Sequence, residues 1–98
     1  MKRKMHLTAK VPNAGAHRLA WWLGAQGDGA FDALASNAMI DTAMIDRIIA
    51  GQLLPGHEIG LAVMQATDGA VMPRDFYRAS DRGWFERPAA REVDRMAA

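Results

Sequence analysis

Few residues in this chain are of a type and spacing that support catalysis or metal binding. The chain has no cysteine, which excludes disulfides, thiolate metal ligands and cysteine nucleophiles. Its three histidines, His6, His17 and His57, show no metal-ligand spacing with one another or with carboxylates, so we expect ordinary surface histidines. The two serines, Ser36 and Ser80, are not embedded in a glycine-rich elbow. The sequence therefore predicts a protein that is not an enzyme and has no metal or cofactor.

The glycines at positions 24, 27 and 29 predict a turn rather than a phosphate-binding loop. No Lys-Ser or Lys-Thr pair follows them, as a loop that cradles nucleotide phosphates requires. The carboxylates Asp41 and Asp46 are better explained as a helix cap and a solvated side chain than as an acid–base pair. Neither feature predicts catalysis.

Charge is distributed unevenly along the chain, although the net charge is only +1. Residues 1–18 carry five Lys/Arg and no acid, whereas residues 28–68 carry six acids and one cation, Arg47. From Pro73 onward, six arginines accompany five acids. A basic arm ahead of an acidic centre predicts that phosphate contacts come largely from the chain ends. The alternative is that the arm is a solvated, disordered leader.

The length and hydropathy of the chain predict one domain with a modest core. Half of the 98 residues are hydrophobic, which favours a globular fold. The apolar stretches are far shorter than the roughly 20 residues that span a bilayer. No apolar segment follows the basic start at residues 1–6, so we expect no secretory signal. We therefore expect a cytoplasmic, nucleoid-associated protein without membrane contact.

Helical spacing begins at Gly15 and predicts a first helix that ends at the glycines of residues 24–29. Asn13 is suited to cap its N-terminus. The apolar side of this helix consists of Ala16, Leu19, Ala20 and Leu23. The adjacent Trp21 and Trp22 cannot both point into one core, so we expect one of them at the rim.

Two short helices follow, at residues 30–38 and 42–50. The apolar side of the second helix consists of Phe31, Leu34, Ala35 and Ala38. The inward side of the third helix consists of Ile45, Ile48 and Ile49. Asp41 is a suitable N-cap for the third helix, and Gly51 is suited to end it.

A fourth helix is predicted to begin with Pro55, because the missing N–H of proline costs nothing at the first helical position. Its buried stripe consists of Ile59, Ala62, Val63 and Ala66, and Asp68-Gly69 ends it. Residues 70–72 fit either a strand or an extended connection, residues 74–79 fit a helical turn, and the tail at 84–98 fits a helix after Pro88. The predicted fold class is therefore all-α, with four to five helices. We divide the chain into a basic flexible arm at 1–14, a helix-turn-helix domain at 15–72 and a C-terminal extension at 73–98.

The second and third helices have the spacing of a helix-turn-helix at about residues 30–51. Ala35 is small enough for the following helix to cross nearby, and Ile40 fills the corner of the turn. Because the isoleucines anchor one side of the third helix, its other side is left to face outward. That outer side consists of Thr42, Ala43, Met44, Asp46 and Arg47. A helix presented in this way fits the major groove of DNA, where the base pairs show distinct edge patterns.

The ordered spacing resembles the helix-turn-helix of lambda-repressor-like proteins of the Cro/repressor or XRE type. The matching residues are Leu34-Ala35, Ile40-Asp41, Ile45, Arg47-Ile48 and Gly51. Residues 51–55, Gly-Gln-Leu-Leu-Pro, are similar to the Gly-x-x-x-Pro between the recognition helix and the fourth helix of that family. Residues 66–71 and 75–78 resemble the end of YdaS-type members, a phage-related Cro-like branch. The resemblance covers about residues 16–78.

This resemblance implies a phage- or prophage-type transcriptional regulator that binds a double-stranded DNA operator as a homodimer and represses. The positions that then contact DNA are Asp41, Thr42, Ala43, Met44, Asp46, Arg47 and Gln52, with arm or backbone contacts from Lys2, Arg3, Lys4 and Lys10. The chain departs from the family at Phe31, where members often carry a glutamine that touches the DNA backbone. It also departs at Asp41 and Asp46, because the outer side of the recognition helix usually carries Ser, Arg, Gln or Lys in that family. Phosphate attraction then has to come from the arm, Gln52, Arg74 and Arg78.

Three further questions stay open in the sequence. The acidic centre and the single cation of the third helix also suit a helix-turn-helix scaffold that binds a protein, such as an antitoxin or anti-repressor. Activation through contact of Asp28 or Asp32 with polymerase is not distinguished from repression. Trp84 and Phe85 either fold back on the core or form a dimer contact. We favour the dimer contact, because aromatic residues are enriched at the centres of interfaces.

Overall fold

The structure is a computed structural model and describes Met5 and residues 7–90. These residues form four α-helices and one short 3-10 helix, and they contain no β-strand. The elements are α1 (Ala14–Gln26), α2 (Ala30–Ala38), α3 (Thr42–Ile49), α4 (His57–Ala66) and the 3-10 helix (Pro73–Tyr77). The predicted all-α class is confirmed for this part of the chain. None of these helices is long and apolar enough to cross a membrane.

Helix α1 contacts α2, α3 and the 3-10 helix, so it connects the parts of the fold. Its N-terminus is capped as predicted, because the Asn13 side chain accepts a hydrogen bond from the Ala16 backbone N–H at 2.7 Å. The predicted apolar side is also confirmed, since Leu19, Leu23 and the two alanines of that side are buried. The helix thus presents one continuous apolar stripe to its neighbours.

Helices α2 and α3 are joined by only three residues, Met39, Ile40 and Asp41. Met39 ends α2 in a left-handed backbone conformation with φ of 58°, and its side chain is exposed. Ile40 packs against the core, and its backbone N–H donates to the Ala35 carbonyl at 3.0 Å. The predicted place of Ile40 at the inside of this corner is therefore confirmed. Phe31, the departure noted above, is buried in the core.

The core holds α3 by its isoleucines. Ile45, Ile48 and Ile49 are each 1% exposed or less. Burying a side chain of this size stabilises a fold by roughly 1.5–3 kcal/mol relative to leaving it exposed. The other large side chains that are fully buried are Leu19, Leu34, Val63 and Val71. Three isoleucines on eight residues therefore fix both the position and the rotation of α3.

Helix α4 begins at His57, two residues later than predicted. Pro55 is buried ahead of the helix, and Gly56 is its N-cap, in extended conformation. The Gly56 carbonyl accepts the first helical hydrogen bond, from the Gly60 N–H at 2.8 Å. The Pro55 carbonyl instead faces the Tyr77 hydroxyl, which donates to it at 3.4 Å. The prediction that Pro55 begins the helix rests on local helix preferences. These preferences do not include a contact with a residue 22 positions away in the sequence.

The end of α4 is stabilised by a buried threonine. The Thr67 hydroxyl donates to the Val63 carbonyl at 2.8 Å and accepts from the Val71 N–H at 3.2 Å. Asp68 and Gly69 then reverse the chain with positive φ angles of 55° and 83°. Of the two predicted alternatives for residues 70–72, the structure shows a connection and not a strand, with bends at residues 70 and 71 and an extended backbone at Met72. Val71 is completely buried in it.

Residues 78–90, called the C-terminal segment below, fold back over α1. Trp84 is 8% exposed, and its Nε1 donates to the Thr8 carbonyl at 2.7 Å. The Trp84 carbonyl in turn accepts from Trp21 Nε1 at 2.7 Å. The favoured dimer contact is therefore wrong for Trp84, because the indole N–H finds its partner within the chain. Phe85, by contrast, is 91% exposed. Residues 88–90 are not helical, and the rest of the predicted tail helix lies outside the described residues.

The prediction that His17 is an ordinary surface histidine is wrong. His17 is 2% exposed, because the C-terminal segment covers it. Its Nε2 donates to the Glu86 carbonyl at 2.7 Å, and its Nδ1 lies 3.3 Å from the Ser80 hydroxyl. The edges of Trp21 and Trp84 complete its surroundings, with ring centroids at 6.4 and 6.3 Å. His57 is exposed as predicted, and His6 lies outside the described residues.

Two glycines of α1 provide a matched test of this packing. A Cβ at Gly15 would overlap the ring of Phe76, whereas a Cβ at Gly24 would meet no atom within 4 Å. We expect Gly24→Ala to stabilise the fold by about 0.5–1 kcal/mol, since alanine is the better helix former. Gly15→Ala should destabilise it by about 1–3 kcal/mol, because the ring is buried and must shift. Urea unfolding followed by circular dichroism measures both, and equal effects of the two variants would contradict the close contact.

Candidate nucleic-acid interface

The candidate interface is the side of α3 that faces away from the isoleucines, called the α3 surface below. Its N-terminal end is fixed by Asp41, whose carboxylate accepts a hydrogen bond from the Met44 N–H at 2.8 Å. The exposed members of this surface are Asp41, Ala43, Arg47 and Gln52, and the half-buried members are Thr42, Met44 and Asp46. None of the seven predicted positions is sealed inside the fold.

Arg47 and Gln52 lie together at the C-terminal end of this surface. Arg47 is in the last turn of α3, where a cation interacts favourably with the helix dipole. The Gln52 N–H donates to the Arg47 carbonyl at 2.9 Å, because Gly51 turns the chain with a φ of 77°. Both side chains are exposed, and an amide and a guanidinium are both suited to phosphate or base edges.

The arm passes the same end of α3. Pro12 packs directly on Gly51, so closely that a Cβ at Gly51 would overlap the proline ring. Val11 packs against the core, and Lys10 is exposed. Because two residues of extended chain span about 7 Å at most, Lys10 lies close to the end of α3. The predicted contacts Lys2, Arg3 and Lys4 lie outside the described residues.

A second group of cations lies on and directly after the 3-10 helix, which contacts α1 and α4 but not α3. Tyr77, whose hydroxyl contacts the loop before α4, is 69% exposed and stands between the exposed Arg74 and Arg78. The Arg78 carbonyl accepts from the Ala14 N–H at 2.9 Å, which ties this group to the start of α1. Sequence reasoning named the two arginines as phosphate contacts but missed Tyr77. The signal in the sequence that could have indicated Tyr77 is that an aromatic residue lies between two arginines, outside the helical pattern.

The charges of the described residues are not those of a strongly basic protein. Seven Lys/Arg accompany nine Asp/Glu between residues 7 and 90. Asp41 caps the N-terminus of α3, whereas Asp46 and Arg47 are adjacent in its last turn, and Lys10 lies near the same end. An approaching polyanion would therefore be repelled at the N-terminal end of α3, whereas at its C-terminal end the attraction of Arg47 and Lys10 acts against Asp46.

The described residues contain no group of three or more His, Asp or Glu side chains able to hold a metal ion. The buried histidine, His17, is held by hydrogen bonds to the C-terminal segment rather than directed at an open site. The α3 surface therefore offers hydrogen-bond donors and acceptors, a methyl group and charge, which are groups for recognition.

Comparison of the chain with protein-family models, curated proteins and solved structures found no match.

The hydrogen bond by which Asp41 caps α3 can be tested separately from the negative charge of Asp41. We expect Asp41→Ala to destabilise the fold by about 0.5–2 kcal/mol, because the Met44 N–H loses its partner. Asp41→Asn keeps a side-chain oxygen at the same place and should change stability by less than half as much. Thermal and urea unfolding compare the two variants. If both lost the same stability, the cap geometry described above would not be what holds the start of α3.

Proposed function

We propose that the protein is a sequence-specific double-stranded DNA-binding regulator of transcription, which uses α2 and α3 as a helix-turn-helix. The observation that carries this proposal is that three buried isoleucines fix α3 while its opposite side stays open. The short connection between α2 and α3, with Ile40 inside the corner, is what the motif requires. The fold class alone does not distinguish functions, so the α3 surface is the basis of the proposal.

In this proposal α3 enters the major groove. The diameter of an α-helix with its side chains, about 10–12 Å, is similar to the width of this groove. Thr42 and Ala43 then approach the base edges, where the alanine methyl is suited to a thymine methyl and the threonine hydroxyl to a donor or acceptor. Arg47 contacts guanine or the adjoining phosphate. Asp46 is compatible with cytosine, whose N4 donates to a carboxylate.

Phosphate contacts come from the cations around the C-terminal end of α3. Lys10 lies near this end, and Arg74 and Arg78 add exposed cations on and after the 3-10 helix, which is joined to the start of α1. Lys2, Arg3 and Lys4 would extend the same contacts along the duplex or into the minor groove. In this proposal these cations compensate for Asp41 and Asp46.

The resemblance to Cro-type repressors suggests that the regulator is phage-related, binds as a homodimer and represses by occupying a promoter. Two copies on a two-fold symmetric operator place their helices one turn of DNA apart, which doubles the contact area. Phe85, exposed beside the C-terminal segment, is the aromatic residue that remains available for a contact between copies.

The first test is DNA binding itself. We expect the purified protein to shift a fragment from the region upstream of its own gene, whereas a fragment of unrelated sequence binds more weakly. The logarithm of affinity should fall linearly with the logarithm of salt concentration, because phosphate contacts release counterions. Absence of a shift at low salt on that fragment would refute the proposal.

The second test assigns Arg47. We expect Arg47→Ala to weaken operator binding about tenfold or more, at unchanged helicity, because one charged base or phosphate contact is lost. The matched control is Arg87→Ala, which removes the same charge from an exposed arginine of the C-terminal segment. Fluorescence anisotropy with a labelled operator measures both variants. Equal losses would show that only net charge matters, and an unaffected Arg47→Ala would remove this residue from the interface.

A second candidate function is binding of a protein partner by the same surface. The excess of acids over cations in the described residues, and the two aspartates on α3, favour it. Co-purification of one partner in equal amount, with no retention on heparin and no DNA shift, would support an antitoxin or anti-repressor. In that case Arg47→Ala should weaken the protein complex instead.

A further inference from the structure

A cleft with aromatic and cationic walls lies between α1, the turn after α4 and the C-terminal segment. It encloses about 780 Å³, within the range of 300–1,000 Å³ that small-molecule sites occupy. Arg18, Trp21 and Trp22 line it from one side of α1, and Arg82 and Arg87 line it from the C-terminal segment. The proposed function does not use any of these residues.

The aromatic wall is held in place by contacts within the chain. The Trp21 indole is oriented by the hydrogen bond from its Nε1 to the Trp84 carbonyl and by its edge contact with His17. Trp22 packs partly against the core. Both indoles remain half-buried rather than buried, so part of each faces the cleft. A ring that enters the cleft therefore meets ordered aromatic surface and loses little entropy in ordering it.

The cationic wall is also ordered. Arg82 donates from Nη1 to the Arg87 carbonyl at 2.7 Å, and its Nε lies 3.9 Å from the carboxylate of Asp81. Arg18 donates to the Ala89 carbonyl, which holds residues 88–90 against the cleft. Arg87 itself is exposed. Since a guanidinium has five N–H donors, these bonds leave part of the donor capacity of Arg82 for a ligand.

The balance of charge in the cleft favours an anion. Three guanidinium groups line it against one lining carboxylate, that of Asp68, and the carboxylate of Asp81 lies beside Arg82. Guanidinium groups bind carboxylate, sulfonate and phosphate through paired hydrogen bonds. Indole faces bind planar rings by offset or edge-to-face contact. A ligand that uses both walls must carry both features.

We infer that this cleft is a binding site for a small planar aromatic molecule with one anionic group. The ring lies against Trp21 and Trp22, and the anionic group lies toward Arg82 and Arg87. The inference does not depend on DNA binding, because the cleft is built from α1 and the C-terminal segment and not from the α3 surface.

The test uses two dyes that differ only in the anionic group. 8-Anilinonaphthalene-1-sulfonate carries a sulfonate, and N-phenyl-1-naphthylamine is the same ring system without it. We expect saturable binding of one sulfonated dye per full-length chain, measured by dye fluorescence and calorimetry, with weaker binding of the neutral dye. Arg87→Gln should weaken the sulfonated dye about three- to tenfold, since one exposed charge contact is lost, and should leave the neutral dye unchanged.

Phe85→Ala provides the matched control. Phe85 lines a separate apolar groove with Leu7, Ala25 and the other side of Trp21, and this groove could also take up a dye. We expect this variant to change binding of the sulfonated dye less than twofold. Three results would overturn the inference: no saturable binding of the sulfonated dye, a loss on Phe85→Ala but not on Arg87→Gln, or an equal loss of both dyes on Arg87→Gln.

Discussion

The burial of one side of α3 against α1 and α2 determines how this helix is presented. A helix of eight residues is not stable alone in water, because its few hydrogen bonds do not offset the cost of nucleation. Ile45, Ile48 and Ile49 supply the missing stability through the core, and Asp41 supplies it at the N-terminus. The same packing that makes α3 stable also sets its rotation. Ala43 and Arg47 thus face outward because the isoleucines on the opposite side of the helix are held in the core.

Elements whose ends depend on local chemistry were predictable from the sequence. The bounds of α2 and the caps Asn13 and Asp41 agree with the structure, because an N-cap side chain and the N–H it binds are three residues apart. The start of α4 was not predictable in this way. Pro55 lies outside the helix and contacts Tyr77, which is 22 residues further along the chain. His17 and Trp84 were misplaced for the same reason, since their partners lie more than 60 residues away.

The candidate site was predictable only in part. Helical periodicity predicts which positions of α3 face outward, because the isoleucines mark the inner side. It does not predict what approaches the end of the helix. That Lys10 lies there follows from the packing of Pro12 on Gly51, and the place of Tyr77 and Arg78 follows from contacts with the α4 loop and α1. Neither contact leaves a periodic signal in the sequence. The acidic residues on α3 are evident from the sequence, and the position of Lys10 near the end of α3 that carries Asp46 and Arg47 is what the structure adds.

Hydrogen bonds between segments that are far apart in the sequence affect how this protein folds. Trp84 is bonded to Thr8, 76 residues earlier, and to Trp21, 63 residues earlier. Such contacts raise the contact order of an otherwise helical fold, since they close nearly the whole chain into one loop whose entropy must be lost first. The contacts among the four helices are shorter in sequence than those of Trp84. The cover over the buried histidine therefore forms only when segments more than 60 residues apart meet.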